Sequence, residues 1–303
     1  DDFRYGMALN PHEAAADPQA CARRVFKACG LPLVLKPRSS ANSLDVEVVR
    51  TSEELVGRCR TLRRDDLMAE EFVPGGVLFC DSLLSSTTGE RTTLMTAMYA
   101  QPPLRYRSGS CHGSQTLADG PLKARLEMFN DHVLAALPAL TDRVTHLEVL
   151  EHGGELWFLE VAARAPGAEV ARSGELHLGM NLEELNFRLQ LGLPWRIASP
   201  PLGHVAWMWF PKRDGTVVSL TAPALASPAT LTWQVACGEQ VRGAVHSPTN
   251  RREDAALILV AGPSDAATLS ADFARMLTFE PVEYGGSNRH AEQAECAECA
   301  ERG

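Results

Sequence analysis

Two glutamates in apolar company carry the first chemical signal in this chain. The stretch 145–167, THLEVLEHGGELWFLEVAARAPG, holds two runs rich in Leu, Val, Phe and Trp on either side of Gly153-Gly154, and each run contains one carboxylate of interest, Glu148 or Glu160. The Gly-Gly pair is a hairpin signal between two strands. Alternation along a strand places Glu148 with Val144, His146 and Leu150, and Glu160 with Leu156 and Phe158. A three-residue loop centred on Gly154 pairs Glu148 with Glu160, whereas a two-residue loop shifts the register by one and separates them. Two carboxylates about 5 Å apart repel by roughly 3 kcal/mol at an effective dielectric of about 20, and lost hydration adds to the cost. A shared proton, a basic side chain or a hard cation relieves it, and Mg²⁺ favours carboxylate oxygens together with phosphates. The alternative is a face that is simply solvated.

Lys36 raises a similar question, because it ends the apolar run LPLVLK. An unpaired buried ammonium is costly. Aimed at a phosphate it is matched; aimed at water it is an ordinary strand-end lysine. The following PRSSANS has no bulky side chain from Ser39 through Ser40 to Ser43, which suits close approach of backbone N–H groups to phosphate oxygens. It is not a Walker A loop, since no GKS or GKT follows a glycine run. In LMAEEFVPGG, a strand runs to Glu70, Glu71, Phe72 and Val73. Backbone groups of Glu71 and Val73 point the same way and suit an adenine edge, with Glu70 accepting from an exocyclic amine; the plain alternative is an edge strand protected by charge.

Weaker candidates accompany these. His112 sits in the polar stretch SGSCHGSQTL, read as a loop that either lines a pocket or faces water. Arg105 and Arg107 flank Tyr106 and either bind a carboxylate or face water, and His146 and Asp81 either shape the glutamate site or do not. Trp207 and Trp209 read as core. Cys296 and Cys299 form a CxxC without a second pair, which is weak evidence for a metal.

The elements that must position these residues follow from periodicity. Asp17–Cys29 has helical spacing with Gly30 after it, and TSEELVGRCRTL is a helix with a Thr/Ser start. Apolar runs at 31–36, 45–50 and 66–74 alternate with them. VLFCDSLLSS, RTTLMTAMYA and LRYRSG read as antiparallel strands, then come a helix over 117–137, the glutamate hairpin and a helix over 181–193. From Pro200 the texture changes to short strands and one last helix, and 286–303 reads as a disordered tail. The chain of 303 residues has 45% hydrophobic and 22% charged residues, which is ordinary for a globular protein. A net charge of −9 argues against non-specific nucleic-acid binding. No apolar run reaches a membrane span and no signal peptide opens the chain. Eight scattered cysteines suit a reducing, cytoplasmic setting.

In this order, LPLVLKPRSSANS, EEL on a helix, LMAEEFVPGG, CDSL, THLEVL and FLEVAARAPG resemble the ATP-grasp superfamily, and most of all its carboxylate–amine ligase branch with the L-amino-acid ligases. The resemblance covers roughly residues 10–285. It implies an α+β fold in which two subdomains, 1–72 and 73–199, clasp ATP, followed by a strand-rich domain over 200–285. It implies that Lys36 and the loop with Ser39, Ser40 and Ser43 hold phosphates, and that Glu70, Glu71, Phe72 and Val73 hold adenine. Glu148 and Glu160 would bind Mg²⁺, and Arg164 would neutralise charge on the phosphate or acyl phosphate. The implied reaction joins a small carboxylate to an amine through an acyl phosphate.

The chain departs from the family pattern in several places. The family's front α/β domain and its first ATP-binding lysine would lie upstream of residue 1, so a homodimer or a partner chain supplying that domain is one expectation. Val77 stands where a ribose-binding carboxylate is usual, and Ala162 where an asparagine is. The loop after Pro37 has no glycine. A truncated or degenerate protein without independent catalysis is therefore the competing expectation.

Overall fold

The computed structural model describes residues 6–40, 43–86, 91–103, 105, 109–137, 141–242, 244 and 252–285. The reading of 286–303 as a tail, the CxxC, Arg107 and the strand expected around Tyr106 therefore lie outside the described residues, wholly or in part.

The first layer contains β1 (Met7–Ala8), α1 (Pro11–Ala16), α2 (Pro18–Cys29), β2 (Leu33–Pro37), β3 (Glu47–Val49), α3 (Ser52–Thr61) and β4 (Leu67–Glu71). Its sheet runs β1-β4-β2-β3 and is antiparallel throughout. The helices start where the side chains dictate. Asp17 accepts from the Ala20 N–H, and Thr51 and Glu54 form a reciprocal capping box. Leu33, Leu35 and Ala69 point toward the helices and pack with Val25, Cys29, Leu55 and Cys59. Val34, Lys36 and Glu70 therefore lie on the other face, which the helices leave uncovered. β1 and α1 were not expected from the sequence.

The second layer contains β5 (Gly76–Leu84), β6 (Arg91–Tyr99), β7 (His112–Thr116), α4 (Pro121–Ala136), β8 (Arg143–His152), β9 (Glu155–Ala162), α5 (Val170–Leu178) and α6 (Leu182–Gln190). The chain continues through β10 (His204–Pro211), β11 (Gly215–Leu220), β12 (Ala229–Trp233), β13 (Gln240–Val241), β14 (Ala255–Ser264), α7 (Ala266–Leu277) and β15 (Val282–Gly285). One eight-stranded sheet, β12-β14-β10-β7-β6-β5-β8-β9, takes strands from both stretches, while β13-β11-β15 form a small separate sheet. The join is the β7–β10 ladder, with Ala206 opposite Gln115 and Trp209 opposite His112. Gly113 sits in that ladder because a Cβ there would meet the Trp207 carbonyl oxygen.

Both faces of the large sheet are covered. Phe79, Val144, Trp207, Trp209 and Ile258 pack with α5 and α6 residues such as Val170 and Leu185. On the other face Leu78, Leu147 and Val149 pack with Leu126 of α4, and Met208 and Leu257 pack with Phe273 and Met276 of α7. His112, expected in a polar loop, is instead a buried strand residue between Tyr99 and Trp207. Among the described residues, no helix is long and apolar enough to cross a membrane.

Candidate active site

The β8–β9 hairpin combines two features that the sequence presents as exclusive. Its loop has two residues, with His152 opposite Glu155, and both Gly153 and Gly154 have positive φ, +61° and +85°. That geometry matches the right-handed twist of the strands and favours glycine at both positions. The ladder then runs Leu150–Trp157 and Val149–Phe158 before stepping to Glu148–Glu160, leaving Leu159 as one extra residue. This β-bulge shifts β9 by one residue and returns the carboxylates to a common face. The expectation that Glu160 shares a face with Leu156 and Phe158 is thereby overturned. Leu156 and Val161 pack under α4, Phe158 is exposed, and Leu159 joins the cluster under α5 and α6.

Inward from the pair, Phe79 lies opposite Glu148 and Asp81 opposite His146. Asp81 is fully buried, not a surface aspartate, and its Oδ1 lies 2.7 Å from His146 Nδ1. His146 Nε2 faces Glu148 Oε1 at 3.4 Å. With a carboxylate at each ring nitrogen, both are donors in the imidazolium. Burial alone pulls His146 down, but the Asp81 charge and hydrogen bond, with Glu148 added, carry it up to about 10. Burial likewise pushes Glu148 up, yet His146 and a hydrogen bond from the Tyr99 hydroxyl hold it below the usual carboxylate range. Tyr99 stacks on His112 with ring centroids 5.4 Å apart.

Glu160 behaves oppositely. Burial and then the Glu148 charge raise it, and Lys36, His146 and Arg164 only partly offset them. Paired carboxylates pushed apart in this way mark a site short of positive charge. The donor set fits Mg²⁺: two carboxylates on adjacent strands leave coordination positions for phosphate and water oxygens. Among the described residues no group of three or more His, Cys, Asp or Glu could hold a metal by itself.

Lys36 stands across from the hairpin on the uncovered face of the first sheet. Its Nζ lies 2.6 Å from Glu70 Oε2, so Glu70 holds the lysine through one carboxylate oxygen. The Phe72 N–H donates to the Pro32 carbonyl, and by antiparallel alternation the backbone groups of Glu71 and Val73 turn away from β2, as expected. In the small-residue loop Ser39 is exposed, the Ser40 hydroxyl donates to the Leu44 carbonyl at 3.3 Å, and Ser43 takes a positive φ of +56°. Arg64 pairs with Asp45 and Asp66 and braces the loop's far end. Arg164 is exposed, its Nη1 donating to its own neighbour's carbonyl at Ala165.

One buried charge had no marker in the sequence. Glu169 accepts from Trp209 Nε1 at 3.3 Å and pairs with Arg252 Nε at 3.2 Å, joining three distant segments of chain. A cavity of about 230 Å³ lined by Cys111, Phe210, Arg213 and Tyr284 shares no residue with the glutamate cluster.

No family model and no curated protein matches this chain. Solved structures do. An N5-carboxyaminoimidazole ribonucleotide synthetase from Thermus thermophilus superposes with a TM-score of 0.56, covering 87% of this chain and 67% of that one at 21% identity. An L-amino acid ligase from Bacillus licheniformis gives 0.58, covering 91% and 74% at 16% identity. A carboxyaminoimidazole ribonucleotide synthase from Aspergillus clavatus, complexed with ATP, gives 0.61, covering 89% and 67% at 14% identity. This chain has the ATP-grasp fold. The ATP-grasp architecture is here α+β, with the two larger sheets antiparallel at every pairing. Within this fold, Val77 is buried core and Ala162 lies opposite His146, so neither position offers a polar ligand.

Proposed function

We propose that this protein is an ATP- and Mg²⁺-dependent ligase that joins a small carboxylate to an amine. The observation that carries the reading is the bulge that seats Glu148 and Glu160 side by side, with Lys36 near enough to offset part of the rise that burial and Glu148 impose on Glu160. In the proposed reaction the carboxylate takes the γ-phosphoryl group of ATP, releasing ADP and leaving an acyl phosphate, and the amine then displaces phosphate and loses a proton to leave an amide. Glu148 and Glu160 would hold Mg²⁺, which would supply charge neutralisation for the phosphates. Lys36 would exchange Glu70 for a phosphate. Arg164, exposed at the end of β9, would face the charge that develops on the transferred group. Glu71 and Val73 would present backbone groups to adenine, and the loop of Ser39, Ser40 and Ser43 would close over the phosphates. The assignment of 1–72 and 73–199 as the clasping units and 200–285 as a terminal domain belongs to the same reading.

A second reading is a protein that binds nucleotide without turnover of its own, or that needs a partner chain. Val77 and Ala162 favour it, because both replace a polar ligand with an apolar side chain. Calorimetric titration of MgATP into the wild type and into Glu148→Ala/Glu160→Ala tests both readings. The expected outcome is binding that requires Mg²⁺ and is lost in the double variant. Binding by the double variant equal to wild type would remove the carboxylate pair from the site. Binding without ADP release on any acid and amine pair would favour the second reading.

A further inference from the structure

We propose that Asp81 and His146 form a buried relay that orients the Glu148 carboxylate for the cation. The inference rests on Glu148 being a cation ligand, and it assigns Asp81 and His146 as positioning residues for that ligand.

The argument is geometric. Asp81 is fully buried and His146 is 5% exposed, so neither is placed for solvent. Burying a carboxylate in a sheet interior is costly unless it is paired, and apolar residues of similar size would fill the space more cheaply. The three groups follow one line across adjacent strands, Asp81 on β5, then His146 and Glu148 two residues apart on β8. Asp81 meets one ring nitrogen at 2.7 Å, which fixes the ring's orientation and leaves the other nitrogen directed at Glu148 Oε1. Phe79 packs on the His146 ring with centroids 5.2 Å apart, limiting its rotation. Tyr99 supplies Glu148 with a second donor. A carboxylate whose one oxygen is held from behind presents the other in a fixed direction, which lowers the ordering cost of cation binding. Asp81 Oδ2 has no hydrogen-bond partner among the described residues, so the carboxylate engages His146 through Oδ1.

A purely structural ion pair would contribute to stability and leave the cation unaffected. The two roles separate when Mn²⁺ uptake in the presence of ATP is measured by electron paramagnetic resonance on wild type, Asp81→Asn and His146→Gln, alongside thermal melts and ATP binding without cation. The relay predicts Mn²⁺ affinity weakened about 10–100-fold in both variants, as for other groups that orient metal ligands, with cation-free ATP binding unchanged. If either single variant does not fold, Asp81→Asn/His146→Gln, which removes both charges of the buried pair together, serves in its place. Variants that melt lower but bind Mn²⁺ as wild type does would overturn the relay while leaving the ligase reading intact. A wild type that takes up no Mn²⁺ with ATP would overturn both.

Discussion

Histidine chemistry is concentrated on one face of the large sheet, and its two members there respond to burial in opposite ways. His146 has two carboxylate neighbours and is held protonated, whereas His112 lies among aromatic rings and burial pushes it down to about 4. The folded value of His112 is below the unfolded value of about 6.5, so the unfolded state binds more protons between the two. Its contribution to stability is therefore complete above about pH 6.5 and falls away as the pH drops toward about 4, by an amount on the order of 3 kcal/mol. Urea midpoints at pH 7.5 and 4.5 should show this loss in wild type and a smaller one in His112→Gln; equal losses would exclude His112 as the source. At this scale the sequence was informative about identity and poor about environment. Glu148, Glu160, Lys36 and Arg164 stood out by type and spacing. The burial of Asp81 and His112 did not, because it depends on strands and helices packed from far along the chain.

Among the elements, the helices were the most legible, since Asp17, Thr51 and Glu54 announce their caps locally. The β8–β9 hairpin was legible at its turn and misleading along its length. Gly153-Gly154 correctly signals a tight loop, yet an unbroken ladder from that loop would part the two glutamates. Leu159 carries no local mark of being the extra residue, because a leucine suits either face of a strand. Deletion of Leu159 removes the extra residue, so a regular ladder continuing from Val149–Phe158 sets Glu160 opposite Glu148 without a bulge. The expected result is near-native circular dichroism with Mg²⁺-dependent ATP binding retained. Binding lost in a folded variant would mean that pairing the two glutamates does not suffice and that the bulge itself shapes the site.

For the whole molecule, the eight-stranded sheet ties the chain after residue 200 to the strands that carry the glutamates. Thr116 and Val205, 89 residues apart, are joined twice at that seam: the Thr116 hydroxyl donates to the Val205 carbonyl and accepts from the Val205 N–H. Such pairing between distant segments leaves no trace in local periodicity, which is why the change of texture at Pro200 was so prominent in the sequence. Gly113→Ala places a methyl group against the Trp207 carbonyl and should cost about 1–3 kcal/mol, as overpacking does. Calorimetric melting should show one lower transition or a split into two, and an unchanged melt would mean that the seam relaxes freely. At the opposite end of this sheet β9 is the terminal strand among the described residues, and its outer edge is where another molecule would add a strand of its own. Leu159 interrupts that edge beside Glu160. A straight strand cannot follow a bulged template in register, so the bulge that brings the two glutamates together also makes this rim a poor seed for aggregation.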